Sequence, residues 1–370
     1  MKLFANIKLT VFCLFWLGVL TFWGTVYQVD HGIYQAQHRF FDSLIFFGPF
    51  FIPLPGGMLT MGLLFLNLIA SFFVHYQAGW KMPGLMLTHL GLLLLLLGGL
   101  FTRLTGIEAQ MSLLPGEGSN LAEDLREWEF ALTDEISTVR QVRAIDFRDL
   151  EEGMRFALDD SGLRFVVEAL HPNSRAMQVR DDLRAENSPV NASGISFVQP
   201  ERLAKEPPEN RPALLVRVEG AREPLRALFW GGEIRFLPVE LPDGGVRFLR
   251  LRRKQHALPL FMELVQFNRT YYPGSQIPKD YRSLINVHLG EDLERNAVIK
   301  MNEPFRHQGW TFYQQSFAVM DDETEMSVFA VTRNYGRLIP YWGTGITSLG
   351  LAMHFLQMQM MQLRRRRKSA

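Results

Sequence analysis

One imidazole inside an uncharged apolar run is the side chain of this sequence best suited to chemistry. The run KMPGLMLTHLGLLLLLLGGLFTR extends from Lys81 to Arg103, and His89 is the only ionisable residue between these two ends. At about 1.5 Å rise per residue, the run matches a hydrocarbon layer roughly 30 Å thick. Imidazole is costly there unless it faces a helix, a water path or a ligand, so His89 is a candidate site residue. The alternative is a structural hydrogen bond to a neighbouring helix.

A second imidazole stands in another apolar run, near the C-terminus. His354 lies in the inner half of a predicted span that is followed by a row of arginines. We expect it at a depth similar to that of His89, which makes the two rings candidates for a polar pair. The alternative is that His354 snorkels toward water, because a histidine near the end of a span reaches the interface easily.

Other reactive groups are scarce, which excludes several classes of function. Cys13 is the only cysteine, so the chain has no intrachain disulfide, CxxC redox pair or cysteine-rich zinc site. We expect Cys13 to act as a small buried hydrophobe. The sequence contains no P-loop, Rossmann fingerprint, GxSxG or HExxH motif. A formal net charge of +1, without a basic patch interleaved with aromatic residues, argues against a nucleic-acid partner.

Four apolar runs must position these histidines. Positions 9–28 are uncharged, and positions 57–77 contain small residues that allow close helix approach. Positions 83–102 and about 339–361 hold the two histidines. The runs predict four transmembrane α-helices. A cleaved signal peptide is the competing interpretation of the first run, but bulky residues occupy its cleavage region.

Composition divides the sequence into three regions. Residues 1–103 are the N-terminal membrane region, in which 29–56 is an outer interfacial loop with a short helix at about 33–47. Residues 104–336 carry most of the charged side chains at ordinary globular density and form a separate domain. Residues 337–370 contain the last span and a basic tail.

Basic residues set the expected orientation of the spans. Lys2, Lys8 and Lys81 flank short loops on one side, and the RRRRK sequence at 364–368 follows the last span. By the positive-inside rule, both termini lie in the cytoplasm and the 104–336 domain is extracytoplasmic.

The 104–336 domain is expected to be large and mainly antiparallel β. Segments such as LRFVVEAL, ALLVRVEG and WTFYQQSF show alternating or β-branched patterns, and turns such as DDSG and PDGG separate them. We expect LAEDLREWEF among its few helices. The polar, broken stretch 172–212 is predicted to be a surface excursion, and its role is not readable from the sequence.

Two motifs and the overall plan resemble one known family. The plan is three closely spaced spans, a large outer β domain and one last span. The first motif is THLGLLLLLLGGLFTR, and the second is NEPFRHQGWTFYQQSF, which precedes the last span and is similar to an N-x-P-x-x-x-x-G-x-x-x-Y-Q-x-S pattern. Together they resemble the ResB (also CcsB) family of bacterial cytochrome c biogenesis proteins, which belong to the haem-handling pathway called System II.

This resemblance implies a haem-handling subunit of the bacterial cytoplasmic membrane. Such a protein works with a tryptophan-rich ResC or CcsA-type membrane subunit to move haem outward and present it to CxxCH apocytochromes c. The resemblance implies a haem-interacting histidine within the membrane, which is His89 here. It also implies a subunit of a holocytochrome c synthase (haem lyase) complex that is not catalytic alone. The cytochromes served, the stoichiometry and any part in the thioether-forming step are not readable.

The residues fit a haem cofactor, transported or bound as b-type haem. Neutral imidazole is a good axial ligand for haem iron, and Leu and Phe side chains suit the apolar macrocycle. His354 is the second candidate for that role, and no metal other than haem iron is expected. The alternative from another class is a non-catalytic membrane-anchored sensor or scaffold, whose outer β domain binds a ligand or a protein.

Overall fold

A computed structural model describes residues 4–77, 82–134, 142–178, 188–275, 277–290, 292–320 and 324–369. The chain divides into two compact units. The helical unit comprises Met1–Ile107 and Arg333–Ala370, and the β unit comprises Glu108–Thr332.

Three helices of the helical unit are long and apolar enough to cross a membrane. They are α1 (Ile7–His31), α3 (Gly57–Gln77, apolar over Gly57–Val74) and α4 (Pro83–Thr105). The short helix α2 (Ile33–Ala36) follows α1. Uninterrupted apolar sequence explains all three long helices, since the backbone of a span must satisfy its own hydrogen bonds. They indicate a membrane protein.

The fourth predicted span is a helix, α5 (Ile339–Ser369), but it is not among the three apolar helices that length and composition identify within the described residues. Polar side chains such as Thr347, Gln357 and Gln359 interrupt its apolar sequence. The crossing of the membrane by 339–361 therefore stays a prediction.

Asn67 connects the start of α1 to the middle of α3. Its amide donates hydrogen bonds to the carbonyl oxygens of Phe4 and Asn6, and its carbonyl accepts one from the Thr10 hydroxyl at 2.6 Å. The side chain of Asn6 in turn accepts from the backbone N–H of Lys8 at 2.9 Å and begins α1. Asn67 is buried, and these bonds satisfy its amide.

The connection between α1 and α3 differs from its prediction. Instead of one helix over about 33–47, α2 continues into a π-helix at Gln37–Phe41, and a β-hairpin follows, with strands β1 (Ile45–Phe47) and β2 (Pro53–Pro55). The predicted helix is correct only over its first part. Gly48 and the prolines beyond it favour extended and turn backbone over helix.

The β unit confirms the expected antiparallel architecture. Its strands are β3 Ile107–Leu113, β4 Gly118–Thr133, β5 Val142–Asp146, β6 Arg155–Phe156, β7 Arg164–His171, β8 Ser174–Met177, β9 Phe197–Pro200, β10 Ala213–Glu219, β11 Leu225–Trp230, β12 Leu237–Glu240, β13 Val246–Tyr271, β14 Pro278–Leu289, β15 Asp292–Lys300, β16 Phe305–His307, β17 Trp310–Val319 and β18 Glu325–Arg333.

Two sheets make up most of this unit. The larger has ten strands in the order β15-β14-β13-β4-β3-β18-β17-β16, with β12 beside β13 and β5 beside β4, and the smaller has the order β11-β10-β7-β6. The strand pairs with a described register are antiparallel, among them β13 with β14 and β10 with β7. A core of fully buried side chains, including Phe130, Phe165 and Leu214, packs strands of the two sheets together.

Two expectations for this unit change. The predicted helix LAEDLREWEF is wrong, because the segment is part of strand β4, which pairs with β13 on one side and with β5 on the other. Sheet pairing and burial of Trp128 and Phe130 outweigh the helix propensity of its Leu, Glu and Arg residues. Within 172–212, β8 and β9 pair as a separate small sheet, and residues 179–187 lie outside the described residues.

Candidate functional site

His89 lies in the first half of α4, where Pro83 occupies the first helical turn. Its ring is half-buried, and Nδ1 lies 2.8 Å from the carbonyl oxygen of Leu85. A carbonyl oxygen only accepts hydrogen bonds, so Nδ1 must be the donor. The neutral ring then carries its lone pair on Nε2.

This bond to Leu85 also fixes the direction of the ring. A histidine that ligates a metal through one nitrogen commonly donates its other N–H to a carbonyl or carboxylate, which sets the tautomer and makes the ligand more basic. The Leu85 carbonyl can fill that role from one turn earlier on the same helix. His89 therefore presents an oriented imidazole from an apolar helix, which suits ligation of a borderline metal centre.

Helices α4 and α5 touch at their backbones. A Cβ built on Gly84 would lie 2.8 Å from the Cα of His354, and one on Gly91 would lie 2.6 Å from the backbone nitrogen of Thr347. From the other side, a Cβ on Gly350 would lie 2.6 Å from the Thr88 hydroxyl. Real Cβ atoms do not approach this closely, so only glycine fits these positions.

His354 lies in this glycine-lined interface, and part of its ring is cut off from hydrogen-bonding groups. Its Nδ1 atom is buried, and the described residues offer it no hydrogen-bond partner. The same is true of Oε1 of Gln357, three positions along α5. Positions three apart lie on one face of a helix, so the two unsatisfied atoms belong to the same side of α5. Buried polar atoms without a partner are rare and call for an explanation such as a bound water, ion or ligand.

The two candidate histidines lie near the same end of the α4–α5 pair but on different faces. Gly84 marks the side of α4 that meets His354. His89 follows Gly84 by five positions, which at about 100° per residue turns it roughly 140° away around the axis. The interface therefore does not bring the two imidazoles face to face. The role of each toward a cofactor stays a prediction.

The strands that precede α5 contain a buried polar cluster that the sequence analysis did not predict. The hydroxyl of Ser283 donates to Oε1 of Gln314 at 2.7 Å, and Nε2 of Gln314 donates to the Ser327 hydroxyl at 2.9 Å. All three side chains are buried, and they join strands β14, β17 and β18. Trp310 and Phe312, on the same strand as Gln314, are buried, as expected for strand aromatics. The signal was present in the sequence as the polar pair in YQQS within an otherwise aromatic strand.

A cavity of about 460 Å³ opens in the β unit. Arg253, Glu123 and Asp124 are among the residues that line it. The guanidinium of Arg253 lies 4.1 Å from the ring centre of Trp128. Burial, with the nearby charge of Arg211, lowers the pKa of Arg253 to about 10. The size is that of a small-molecule site, and the lining mixes polar and apolar groups.

Two carboxylates of strand β4 show opposite electrostatic effects. Burial raises the pKa of Glu129, even though the Arg252 guanidinium lies 2.8 Å away and opposes the shift. Burial also acts to raise the pKa of Asp124, but hydrogen bonds from His256 and from the backbone N–H groups of Arg126 and Glu127 outweigh it and lower the pKa. Glu129 thus bears a desolvation cost, whereas Asp124 is stabilised as an anion.

Comparisons with known proteins support the resemblance found in the sequence. Residues 244–338 match the ResB-like family. A stretch of 100 residues is 27% identical to the protein NrfI of Wolinella succinogenes, and it covers 27% of this chain and 11% of that protein. The resemblance to the ResB family is thereby confirmed, and it points to involvement in cytochrome c biogenesis. The family match covers the buried Gln314 cluster and ends before α5; it does not include His89 or His354.

Proposed function

We propose that this chain is a haem-handling subunit of a System II cytochrome c maturation complex. In this proposal it helps to move haem across a bacterial cytoplasmic membrane and present it for attachment to CxxCH apocytochromes, together with a tryptophan-rich ResC or CcsA-type subunit. Both termini are cytoplasmic, and the β unit is extracytoplasmic. The ResB-like match over 244–338 supports the pathway.

The observation that carries the haem assignment is the state of His89. Its Nδ1 donates to the Leu85 carbonyl, so the lone pair of the neutral ring is on Nε2, the atom that would bind iron. The surrounding run is Leu-rich and uncharged, which suits the apolar faces of a porphyrin. The residues present therefore fit haem, the cargo of this proposal, whose iron accepts imidazole as an axial ligand.

His354 is the second candidate ligand. Its buried Nδ1 atom has no hydrogen-bond partner within the described residues, so this nitrogen is available for a ligand that enters the helical unit. Its position on the face of α5 opposite Gly84 separates it from the His89 side of α4. The two histidines therefore serve as separate contact points for haem. No catalytic step is assigned to this chain.

The test is haem retention by purified complexes. His89→Ala, made in the full chain and co-expressed with the tryptophan-rich subunit, should lower the haem absorbance of the complex and the yield of holocytochrome c. Added imidazole should restore part of the absorbance, because it replaces the missing ligand. His38→Ala is the matched control, since His38 is an exposed histidine of the α1–α3 connection. Unchanged absorbance and yield in His89→Ala would refute the role of His89.

The cavity around Arg253 favours a second function, that of a membrane-anchored sensor or scaffold. A cavity of small-molecule size that is lined by one guanidinium and two carboxylates suits a polar ligand or a protein side chain. Under this function the purified complex would lack haem, and Arg253→Gln would abolish binding by the β unit while His89→Ala would have no effect. Haem in the wild-type complex that is lost in His89→Ala decides for the haem-handling function.

A further inference from the structure

The connection between α1 and α3 contains two exposed phenylalanines. They lie at the tip of the β1–β2 hairpin, where Phe50 is 92% and Phe51 is 87% exposed. Their backbones have φ angles of 58° and 57°, in the left-handed region that bulky side chains rarely adopt. Strained backbone persists only where other interactions offset it. Among the residues that the structure describes, nothing covers the two rings, which points to a contact outside the chain.

The base of the hairpin, by contrast, is firmly packed against α1. The indole N–H of Trp16 donates to the carbonyl of Pro55 at 2.8 Å. The ring of Phe46 meets that of Trp23 edge to face at 5.7 Å between centroids, and Leu20 is fully buried in the same cluster. The packing of the base on α1 therefore fixes the position of the hairpin tip.

These contacts place the hairpin at membrane depth. Its partners on α1 extend from Trp16 to Trp23, inside the apolar run 9–28 of a helix that is long enough to span a membrane. Trp23 precedes the end of that run at Gln28 by five positions, or about 7.5 Å along the axis. The Trp23 contact is therefore within the roughly 5–10 Å to which interfacial elements enter the headgroup and acyl boundary, and the Trp16 contact, about 18 Å from Gln28, lies deeper in the hydrocarbon layer.

The hairpin also has the composition of an element that contacts lipid. No Asp, Glu, Lys or Arg occurs between positions 43 and 74. Prolines at 49, 53 and 55 carry no backbone N–H, and the N–H groups of Gly48 and Ile52 bond to carbonyls within the hairpin. Few donors therefore remain to be desolvated.

One cation stands at the edge of this apolar element. The guanidinium of Arg39 lies 5.1 Å from the ring centre of Tyr27 and donates to the carbonyl of Phe47 at 3.1 Å. Its side chain is exposed. An arginine next to interfacial aromatics is the usual arrangement at a lipid headgroup.

We propose that residues 44–56 form an interfacial wedge that inserts the Phe50–Phe51 tip among the acyl chains of the leaflet at the C-terminal end of α1. Arg39 then lies at the level of the lipid phosphates. The occupant of the exposed surface is lipid, because the tip continues the apolar surface of a spanning helix and offers no charged group to a protein. The connection is thus part of the membrane anchor rather than an aqueous loop.

The test measures what surrounds the tip in vesicles. In a Cys13→Ala background, Phe50→Cys and Phe51→Cys are labelled with the fluorophore NBD, and the full chain is reconstituted in phosphatidylcholine vesicles. Glu223→Cys, on an exposed turn of the β unit, is the matched control. Labels at the tip should emit at shorter wavelength than the control and lose emission when the vesicles contain lipids with a nitroxide on the upper acyl chain. Iodide in the water should quench the control only.

Two results would overturn the proposal. Tip labels that iodide quenches and nitroxide lipids do not would place the tip in water. Tip labels that neither agent quenches would place it against protein, whether a second copy or the tryptophan-rich subunit. The double variant Phe50→Gly with Phe51→Gly guards against damage by the label, because glycine accepts the left-handed backbone. That double variant should fold. An NBD label at Ile52→Cys should emit at longer wavelength in the double variant than in a protein that keeps both phenylalanines.

Discussion

Two sets of buried polar atoms in this molecule differ in their hydrogen bonding. In the β unit, Ser283, Gln314 and Ser327 bond to one another and form a closed cluster. On α5, Nδ1 of His354 and Oε1 of Gln357 are buried without a partner among the described residues. A closed cluster cross-links strands and needs nothing further, whereas unsatisfied atoms are available to a ligand. This difference distinguishes a structural polar cluster in the β unit from a candidate binding site on α5. The family match covers the structural cluster and not the candidate site.

The largest expected effect comes from forcing apart the α4–α5 interface, which contains His354. Gly91→Val should disrupt the helical unit, at a cost above about 3 kcal/mol, because its side chain would overlap the backbone of Thr347. Gly99→Val is the control, since a Cβ on Gly99 meets no atom within 4 Å. Denaturant titration of the detergent-solubilised chain compares the two. Equal stability would contradict the backbone contact between α4 and α5.

Opening the closed cluster should cost less, since it affects side chains alone. Gln314→Leu should lower the free energy of unfolding of the β unit by about 2 kcal/mol, because it leaves buried hydroxyls short of partners. Gln315→Leu at the neighbouring, exposed position is the control and should change little. Tryptophan fluorescence during urea unfolding reports both. A Gln314→Leu protein as stable as the control would mean that the cluster is not a structural cross-link.

Asp124 is another paired polar group, and its contribution to the free energy of unfolding should depend on pH. Its folded pKa lies below the ordinary value, so its stabilising effect is complete above the unfolded pKa and is lost as the pH falls through the folded pKa. Asp124→Asn should therefore cost about 1 kcal/mol at neutral pH, and the difference from wild type should shrink below about pH 4. Glu123→Gln, on the same strand and exposed, is the control. A difference that does not depend on pH would exclude the hydrogen-bonded Asp124 carboxylate as its cause.

Much of this architecture was predictable because it follows from simple periodicities. Uninterrupted apolar runs identify α1, α3 and α4, and alternation identifies most strands, since each rests on local burial. LAEDLREWEF was mispredicted because its neighbours β13 and β5 decide its conformation, and they are distant in sequence. The hairpin tip was missed because no local sequence pattern predicts two phenylalanines with left-handed backbone.

The candidate site was predictable only in part, for a similar reason. His89 is visible in the sequence because a lone imidazole contrasts with its apolar surroundings. Burial of Nδ1 of His354 and Oε1 of Gln357 depends on which helix packs against α5, and that follows from a stripe of glycines on α4. The spacing of Gly84, Gly91 and Gly98 by seven residues was the available signal, since a seven-residue repeat keeps one helix face toward a partner.

The smallest expected effect is the sharpest test of the opening contrast. Gln357→Leu removes a buried oxygen that has no partner within the described part of the chain, so it should leave the stability within about 0.5 kcal/mol of wild type or raise it. Exposed Gln359→Leu is the control for added apolar surface on α5. Thermal unfolding of the haem-free chain measures both, and a loss comparable to that of Gln314→Leu would show that Gln357 is already bonded. If the haem-free stability is unchanged while the haem-loaded complex loses its ligand-induced stabilisation, Gln357 belongs to a binding site, because only a bound state supplies the partner that the chain itself lacks.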